Sequence, residues 1–435
     1  MDTYNTAEQI DPFLNKLRVA CQVSLGLFLV MQVSGGVVRW ILDRIGASVL
    51  TYVPNVLMIL CVASFASYKI LNQRFSQSSF FFILLVGLSL LIGYWNTHNL
   101  VQVIFGLWVL VPFLFGITCQ PLVLPIPSAQ LKWFLLPLFC IAAGGVIANS
   151  VLDYPWVGVS YQVGGVEIEG AREWQTSGGA ARLSGLARSS FDVAGQVVVF
   201  AGVLSMFFNR WWQRILIWML CGGAVFLSTS KGILLALLMT IIASEAQNSR
   251  NGKILKLAII GGIFWLFVPP LMGWTMDWQE LARTDINNPL YGSFLDRMND
   301  MWPRALELAT THGLPPFGRG LGGIGVPLSI YEPDLSNAGD NIFVYIFALI
   351  GIIAIPLFVM GFSGLVQMCQ FLDGQAIRTT LVLAVIIIWY GGVGNILEHA
   401  ILALALGFIT HALTAFFGKE NMQLAENINV KIEKE

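Results

Sequence analysis

The chain carries little charge. Only 11% of its 435 residues are Asp, Glu, Lys or Arg, whereas soluble domains contain about 25%. Hydrophobic residues make up 56% of the chain, and the mean hydropathy is +0.73. This composition excludes a soluble enzyme, a disordered protein and a nucleic-acid-binding protein, and it indicates an integral membrane protein.

Cysteine and histidine are also scarce, with six and four residues respectively. The cysteines lie within or at the ends of apolar segments, which suggests no disulfide framework, and no Cys or His spacing is typical of a metal site. We therefore expect no metal ion bound by Cys and His. The formal net charge of -1 gives no information about partners, because what matters in a membrane protein is the side on which each charge lies.

Apolar runs separated by charged or Pro- and Asn-rich breaks predict about 12 transmembrane helices, and hence an all-α polytopic membrane protein. The first run follows an acidic N-terminal segment and is long enough to span, so we expect an uncleaved anchor. The seventh and eighth runs are short, and one bent or re-entrant pair is the alternative there. The predicted spans are residues 19–38, 50–68, 79–95, 99–118, 133–152, 191–208, 215–229, 232–246, 257–275, 341–364, 379–396 and 399–417.

Basic residues are distributed unevenly between alternate short loops. Most of them fall on the inner side if the N-terminus is cytoplasmic, so the positive-inside rule predicts that both termini are cytoplasmic. The predicted division of the chain is 1–152 (spans one to five), 153–190 (a first long outer loop), 191–275 (spans six to nine), 276–340 (a large, partly helical outer loop), 341–417 (spans ten to twelve) and 418–435 (a cytoplasmic tail).

The two long outer loops contain seven arginines. Because the guanidinium group is planar and always charged, it suits bidentate contacts with phosphate. Several arginines on one side of the membrane can hold a lipid-linked diphosphate at the bilayer surface; the alternative is that they are ordinary solvated charges. The seven are Arg172, Arg182, Arg188, Arg283, Arg297, Arg304 and Arg319.

Part of the second long loop has a helical pattern. Apolar residues recur at intervals of three and four between Phe294 and Thr311, which predicts an amphipathic helix along the outer membrane surface. Arg297 and Arg304 share a face if that helix is continuous. Pro303 either kinks it or occupies the first turn of a second helix.

Two further features lie at loop ends. Lys231 stands between the seventh and eighth spans, where it is either a functional charge or a lysine that snorkels to the interface. The glycine-rich segment 313–325 lacks the Lys-Ser/Thr ending of a phosphate-binding loop, so we expect a tight loop that folds back toward the membrane.

Several acids open spans on the predicted outer side. Asp192 opens the sixth span, Asp340 with Asn341 opens the tenth, and Glu398 with His399 opens the twelfth. A carboxylate in such a position can act as a general base. The alternative is that it caps the helix and stabilises its dipole.

The order of these motifs resembles the O-antigen ligase and O-antigen polymerase superfamily, over residues 180–365. Each motif is short, and the resemblance depends on their order and on their shared side of the membrane. The motifs are Arg182-Leu-Ser-Gly185 before a span, Ser230-Lys231-Gly232 before an aliphatic helix, Arg297 with Trp302 and Ala305-Leu306, Pro316 to Gly322 with Arg319, and Asp340-Asn341 followed by Gly351-Ile-Ile-Ala-Ile-Pro356.

The resemblance implies a GT-C-like glycosyltransferase of the bacterial inner membrane that acts at the periplasmic face without a nucleotide sugar, metal or other cofactor. It implies as partners the lipid bilayer, an undecaprenyl-diphosphate-linked glycan as donor and a chain-length regulator protein, but no nucleic acid. Two positions depart from the family pattern. Lys231 stands where Arg is usual, and Asp340 stands where many members, including typical ligases, have His.

We therefore predict polymerisation of lipid-linked oligosaccharide repeat units into O-antigen or exopolysaccharide. Ligation to a lipid A core is one alternative; a flippase or other secondary transporter is another, although no internal repeat is evident. The predicted catalytic residues are Asp340, which would orient or deprotonate the attacking hydroxyl, and Arg182, Arg188 and Arg297, which would stabilise the leaving diphosphate. The predicted substrate-binding residues are Lys231, Arg304, Arg319 and Asn341.

Overall fold

The chain folds almost entirely into helices in the part that the structure describes. This computed structural model describes residues 11–73, 77–123, 128–163, 166–175, 179, 181–248, 251–278, 292–314, 316–372 and 374–432. The first helices are α1 (Pro12–Val33), α2 (Gly35–Arg44), α3 (Val53–Leu71), α4 (Gln77–Thr97), α5 (Leu100–Val109), α6 (Val111–Val123) and α7 (Ser128–Asn149).

The first long loop contains a small antiparallel hairpin of β1 (Ser160–Val163) and β2 (Val166–Glu169), with Ser160 opposite Glu169. Four helices follow this loop. They are α8 (Ser190–Ser205), α9 (Trp211–Leu227), α10 (Lys231–Asn248) and α11 (Gly252–Thr275).

The second long loop is partly helical, as predicted. It contains α12 (Gly292–Asp296), one π-helical turn (Arg297–Met301), α13 (Trp302–Thr311) and α14 (Val326–Tyr331). The backbone is helical through both junctions, at Asp296, Met301 and Trp302, so α12, the π-helical turn and α13 form one continuous helix with Pro303 just after the π-helical turn. The remaining helices are α15 (Ile342–Ile350), α16 (Ala354–Met368), α17 (Gln375–Gly391) and α18 (Ala400–Ile432).

Each predicted span coincides with one helix or with two consecutive helices. Among the described residues, seven helices are long and apolar enough to cross a membrane, or eight if α5 and α6, which meet at 46°, form one bent span. Helices α8, α9 and α17 are apolar but shorter. The structure therefore defines a helical, polytopic membrane protein, and the number of twelve spans stays a prediction.

Helix α8 lies at the centre of the bundle. All of its residues from Val193 to Ser205 are buried, and it packs against α7, α9, α10, α17 and α18. Small residues such as Gly195 and Gly202 allow this close packing on several sides. The start of α8 is therefore held rigidly, which matters because Asp192 lies in its first turn.

The glycine-rich segment 313–325 folds back between the helices, as predicted. Its backbone N–H groups at Gly320 and Leu321 donate to the carbonyl oxygens of Leu349 and Ser89. Gly322 has a φ of +84° and lies against the backbone of Gln102. A side chain at this position would be strained and would collide with α5.

Candidate functional site

One of the predicted cationic residues, Arg182, lies within electrostatic range of two others. Arg182 precedes α8, and the neighbouring Leu183 N–H donates to the Leu227 carbonyl at the end of α9. Arg182 interacts electrostatically with Lys231, the first residue of α10, and with Arg297, the first residue of the π-helical turn. Burial, and then the charge of Arg297, lower the pKa of Arg182.

The Arg182 guanidinium is only partly satisfied by the protein. Its Nε atom is buried and has no hydrogen-bond partner among the described residues, and the same is true of Arg297 Nε. The Arg182 guanidinium also lies over the Phe191 ring, 5.4 Å from its centroid. Like charges that are held together and incompletely hydrogen-bonded favour the binding of an anion.

Asp340 forms an ion pair with Arg297. The Arg297 Nη2 atom donates to Asp340 Oδ2 at 2.8 Å, and Nη1 donates to the Ser293 carbonyl at 2.9 Å. The Asp340 carbonyl accepts from Trp302 Nε1 at 3.1 Å. Asp340 therefore holds Arg297 in place, and one of its carboxylate oxygens is occupied.

A second acid and a histidine form a pair beside these residues. His399 Nδ1 lies 3.0 Å from Asp192 Oδ1. Ser189 caps α8: its hydroxyl donates to Asp192 Oδ2 at 2.7 Å and accepts from Asp192 N–H at 3.1 Å. The sequence marked both residues as openings of outer helices, but nothing in the sequence indicated that α8 and α18 bring them together.

The environment of His399 favours its charged form. Burial alone disfavours the imidazolium, but the hydrogen bond and charge of Asp192, with the charges of Asp340 and Glu398, raise the pKa of His399 above its ordinary value. The other ring nitrogen, Nε2, lies 3.3 Å from the Tyr390 hydroxyl.

Glu398 connects the pair to the second long loop. Its Oε1 atom accepts from the backbone N–H of Val326 at 2.7 Å and from the Tyr345 hydroxyl at 3.1 Å. Burial raises the pKa of Glu398 to about 7, against the opposing effect of these two hydrogen bonds. Glu398 thus titrates near neutral pH at the point where α14 begins.

Tyr390 links the cations to the acid–histidine pair. Its hydroxyl lies 3.3 Å from His399 Nε2 and within electrostatic range of Asp340, Asp192 and Arg297. We call this assembly the polar cluster. It consists of Arg182, Asp192, Lys231, Arg297, Asp340, Tyr390 and His399.

Two predicted site residues lie at the margin of this cluster or away from it. Arg188 is exposed, and its charge acts on Asp192. Arg304 is half exposed and pairs with Asp300 one helical turn away, at 3.3 Å. The π-helical turn between Arg297 and Arg304 breaks the regular helix on which the two were expected to share a face. Arg283 lies outside the described residues.

Arg319 is an internal structural residue, which corrects its predicted role in substrate binding. Its side chain is 3% exposed and pairs with Glu332 at 2.6 Å. It also donates to the carbonyl oxygens of His312 and Gly323, both at 3.3 Å. These bonds fasten the two ends of the glycine-rich segment, and a substrate cannot reach the buried guanidinium.

Asn341 is also structural, because the protein uses its whole amide. Its Oδ1 atom caps α15 by accepting from the N–H groups of Phe343 and Val344. Its Nδ2 atom donates to the carbonyl oxygens of Leu266 and Gly392, both at 3.0 Å. The Leu266 carbonyl needs this donor because Pro270, four residues further along α11, has no N–H.

Comparison with protein families, with curated proteins and with solved structures gave no match. Among the described residues, no three His, Cys, Asp or Glu side chains are arranged to hold a metal ion. What defines the protein is therefore its own geometry: a polytopic helical bundle with a cationic site beside an acid–histidine pair.

Proposed function

We propose that the protein polymerises undecaprenyl-diphosphate-linked oligosaccharide repeat units at the periplasmic face of the bacterial inner membrane. The observation that carries this proposal is that Arg182, whose Nε atom is buried without a partner among the described residues, interacts electrostatically with both Lys231 and Arg297, from two other parts of the chain. Placing cations within range of one another costs electrostatic energy, of which the Arg297–Asp340 ion pair offsets a part, and a bound anion offsets more. A diphosphate at the membrane surface has the required charge.

The reaction is an inverting transfer. A hydroxyl of the acceptor unit attacks the anomeric carbon of the donor, and undecaprenyl diphosphate leaves with the bonding electron pair. Negative charge grows on the leaving group in the transition state, so cations already in place stabilise the transition state more than the ground state. Arg297, oriented by Asp340, and Arg182 and Lys231 supply that charge.

In this proposal all twelve apolar segments span the membrane, and both termini are cytoplasmic. The two long loops are then periplasmic, and the polar cluster faces the compartment where lipid-linked repeat units are assembled into polymer. The partners are the lipid bilayer and the lipid-linked glycan, with a chain-length regulator protein beside the polymerase.

The test is the binding of undecaprenyl diphosphate to the protein in nanodiscs, combined with polymer length in the bacterium. We expect the double variant Arg182→Ala/Arg297→Ala to bind the lipid at least tenfold more weakly, because each lost charge-assisted hydrogen bond is worth about 1.5–3 kcal/mol. The same variant should make no polymer.

Arg304→Ala is the matched control, because it removes an arginine from the same loop but outside the cluster. It should bind and polymerise like the wild type. Normal polymer from the double variant would refute the proposal. Product formed from lipid-linked repeats only when a lipid A core acceptor is added would instead identify a ligase.

A further inference from the structure

The group that accepts the proton of the attacking hydroxyl needs a basic atom that is not already held by a strong charged donor. Asp340, the predicted base, accepts a hydrogen bond from Arg297 in a 2.8 Å ion pair. The arginine competes with a substrate hydroxyl for that carboxylate. Asp340 is therefore better suited to positioning Arg297 than to removing a proton.

His399 has the geometry that Asp340 lacks. Its Nδ1 atom is bound to Asp192, which is itself fixed by the Ser189 cap at the rigid start of α8. When Nδ1 carries the proton donated to Asp192, the opposite nitrogen Nε2 is an acceptor. The Tyr390 hydroxyl lies 3.3 Å from it, and the acceptor hydroxyl takes the place of this long contact. About 20% of the His399 side chain is exposed, so a substrate can reach the ring.

A small cavity beside this pair is lined by polar residues and, along the start of α18, by apolar ones. Gln196 lies one helical turn after Asp192 on α8, and both side chains line the cavity with His399 and Gln32. The Gln196 Nε2 atom donates to the Gln32 carbonyl at 3.0 Å. Its Oε1 atom is buried and has no hydrogen-bond partner among the described residues. The cavity has room for about one water molecule, from which this oxygen can accept a hydrogen bond.

We propose that His399 is the catalytic base of the transfer and that Asp192 is its positioning residue, an inference that rests on the proposed function. The acceptor hydroxyl loses its proton to His399 Nε2 as its oxygen bonds to the anomeric carbon. The bond from that carbon to the diphosphate oxygen breaks, and the diphosphate leaves with the electron pair. The imidazolium then returns its proton to solvent, which restores the neutral ring.

The pH profile distinguishes this base from a merely structural histidine. The titratable and charged groups that face His399 are Asp192 from α8, Tyr390 from α17, Asp340 before α15 and the adjacent Glu398. The negative charges favour the imidazolium, so activity should fall with decreasing pH along a limb that lies above the ordinary histidine pKa of about 6.5.

The experiment measures polymer formation from lipid-linked repeats and the binding of undecaprenyl diphosphate, both in nanodiscs and over a range of pH. We expect His399→Gln to lower turnover by about 10²- to 10⁴-fold while lipid binding changes less than twofold. Asp192→Asn keeps the size and the Ser189 contact, and it should move the acid limb to lower pH. His312→Gln, at an exposed histidine outside the cluster, is the matched control and should behave like the wild type.

Three other results would each contradict a different part of the proposal. If His399→Gln retains its turnover while the wild type binds and polymerises, the base is not His399. If Asp340→Asn abolishes the acid limb and Asp192→Asn leaves it unmoved, the base is Asp340. If the wild type neither binds the lipid nor forms polymer, the proposed function fails and the inference fails with it.

Discussion

Asn341 shows how much one buried amide can contribute to the fold. It is fully buried and satisfies four backbone groups from three helical segments. We expect Asn341→Ala to destabilise the protein by about 3 kcal/mol or more, because it removes a helix cap and leaves two buried carbonyl oxygens without donors. Thermal unfolding in detergent, followed by tryptophan fluorescence, measures the effect.

Asn341→Asp separates the contribution of the helix cap from that of the two hydrogen bonds that Asn341 Nδ2 donates. The aspartate keeps the cap acceptor but turns a carboxylate oxygen toward the Leu266 and Gly392 carbonyls, so it should also lower the unfolding midpoint by several degrees. A midpoint equal to that of the wild type in both variants would contradict the structural role. The sequence could not separate Asn341 from its neighbour Asp340, because the need for a donor arises at Pro270 on a different helix.

The fold of the glycine-rich segment was predicted well from the sequence, but the structural role of Arg319 within it was not. Small residues and a missing phosphate-loop ending predicted a tight loop, and this is what the structure contains. Arg319 looked like a ligand because an arginine in an outer loop can reach a substrate. The buried Arg319 side chain donates to Glu332 Oε2. Gln102 holds the same carboxylate by donating to Glu332 Oε1 at 2.7 Å.

We therefore expect Glu332→Gln to destabilise this element strongly. The change leaves the buried Arg319 charge without its partner, at a cost of about 3 kcal/mol. Asp300→Asn is the matched control, because it breaks the exposed Arg304–Asp300 pair, which is worth about 0.5 kcal/mol. Unfolding midpoints in detergent should drop for the first variant and stay nearly constant for the second. Equal midpoints for both would show that Arg319 needs no counter-charge.

At the scale of the whole molecule, the helices were predictable and the site was not. Long apolar runs define helices locally, so every predicted span coincides with one helix or with two consecutive helices. The placement of Arg182 within electrostatic range of Lys231 and Arg297 depends on how α8, α10 and α11 pack against one another, and the pairing of Asp192 with His399 depends on α8 and α18. Neither arrangement leaves a periodic pattern in the sequence, since each residue involved is a single polar position at a helix end.

The side of the membrane on which the polar cluster lies can be measured by labelling. Both the polymerase and its proposed base, His399, require the cluster to face the periplasm. Arg304 lies two residues after Trp302, whose indole donates to Asp340, so it reports the side of the cluster. Lys253 is exposed in the first turn of α11, on the side predicted to be cytoplasmic. In a background where the exposed Cys140 is replaced by alanine, a membrane-impermeant maleimide should label Arg304→Cys in intact spheroplasts. It should label Lys253→Cys only after the membrane is permeabilised. The reverse pattern would place the cluster in the cytoplasm and exclude a periplasmic polymerase, because the lipid-linked donor would then lie on the opposite face from the cations.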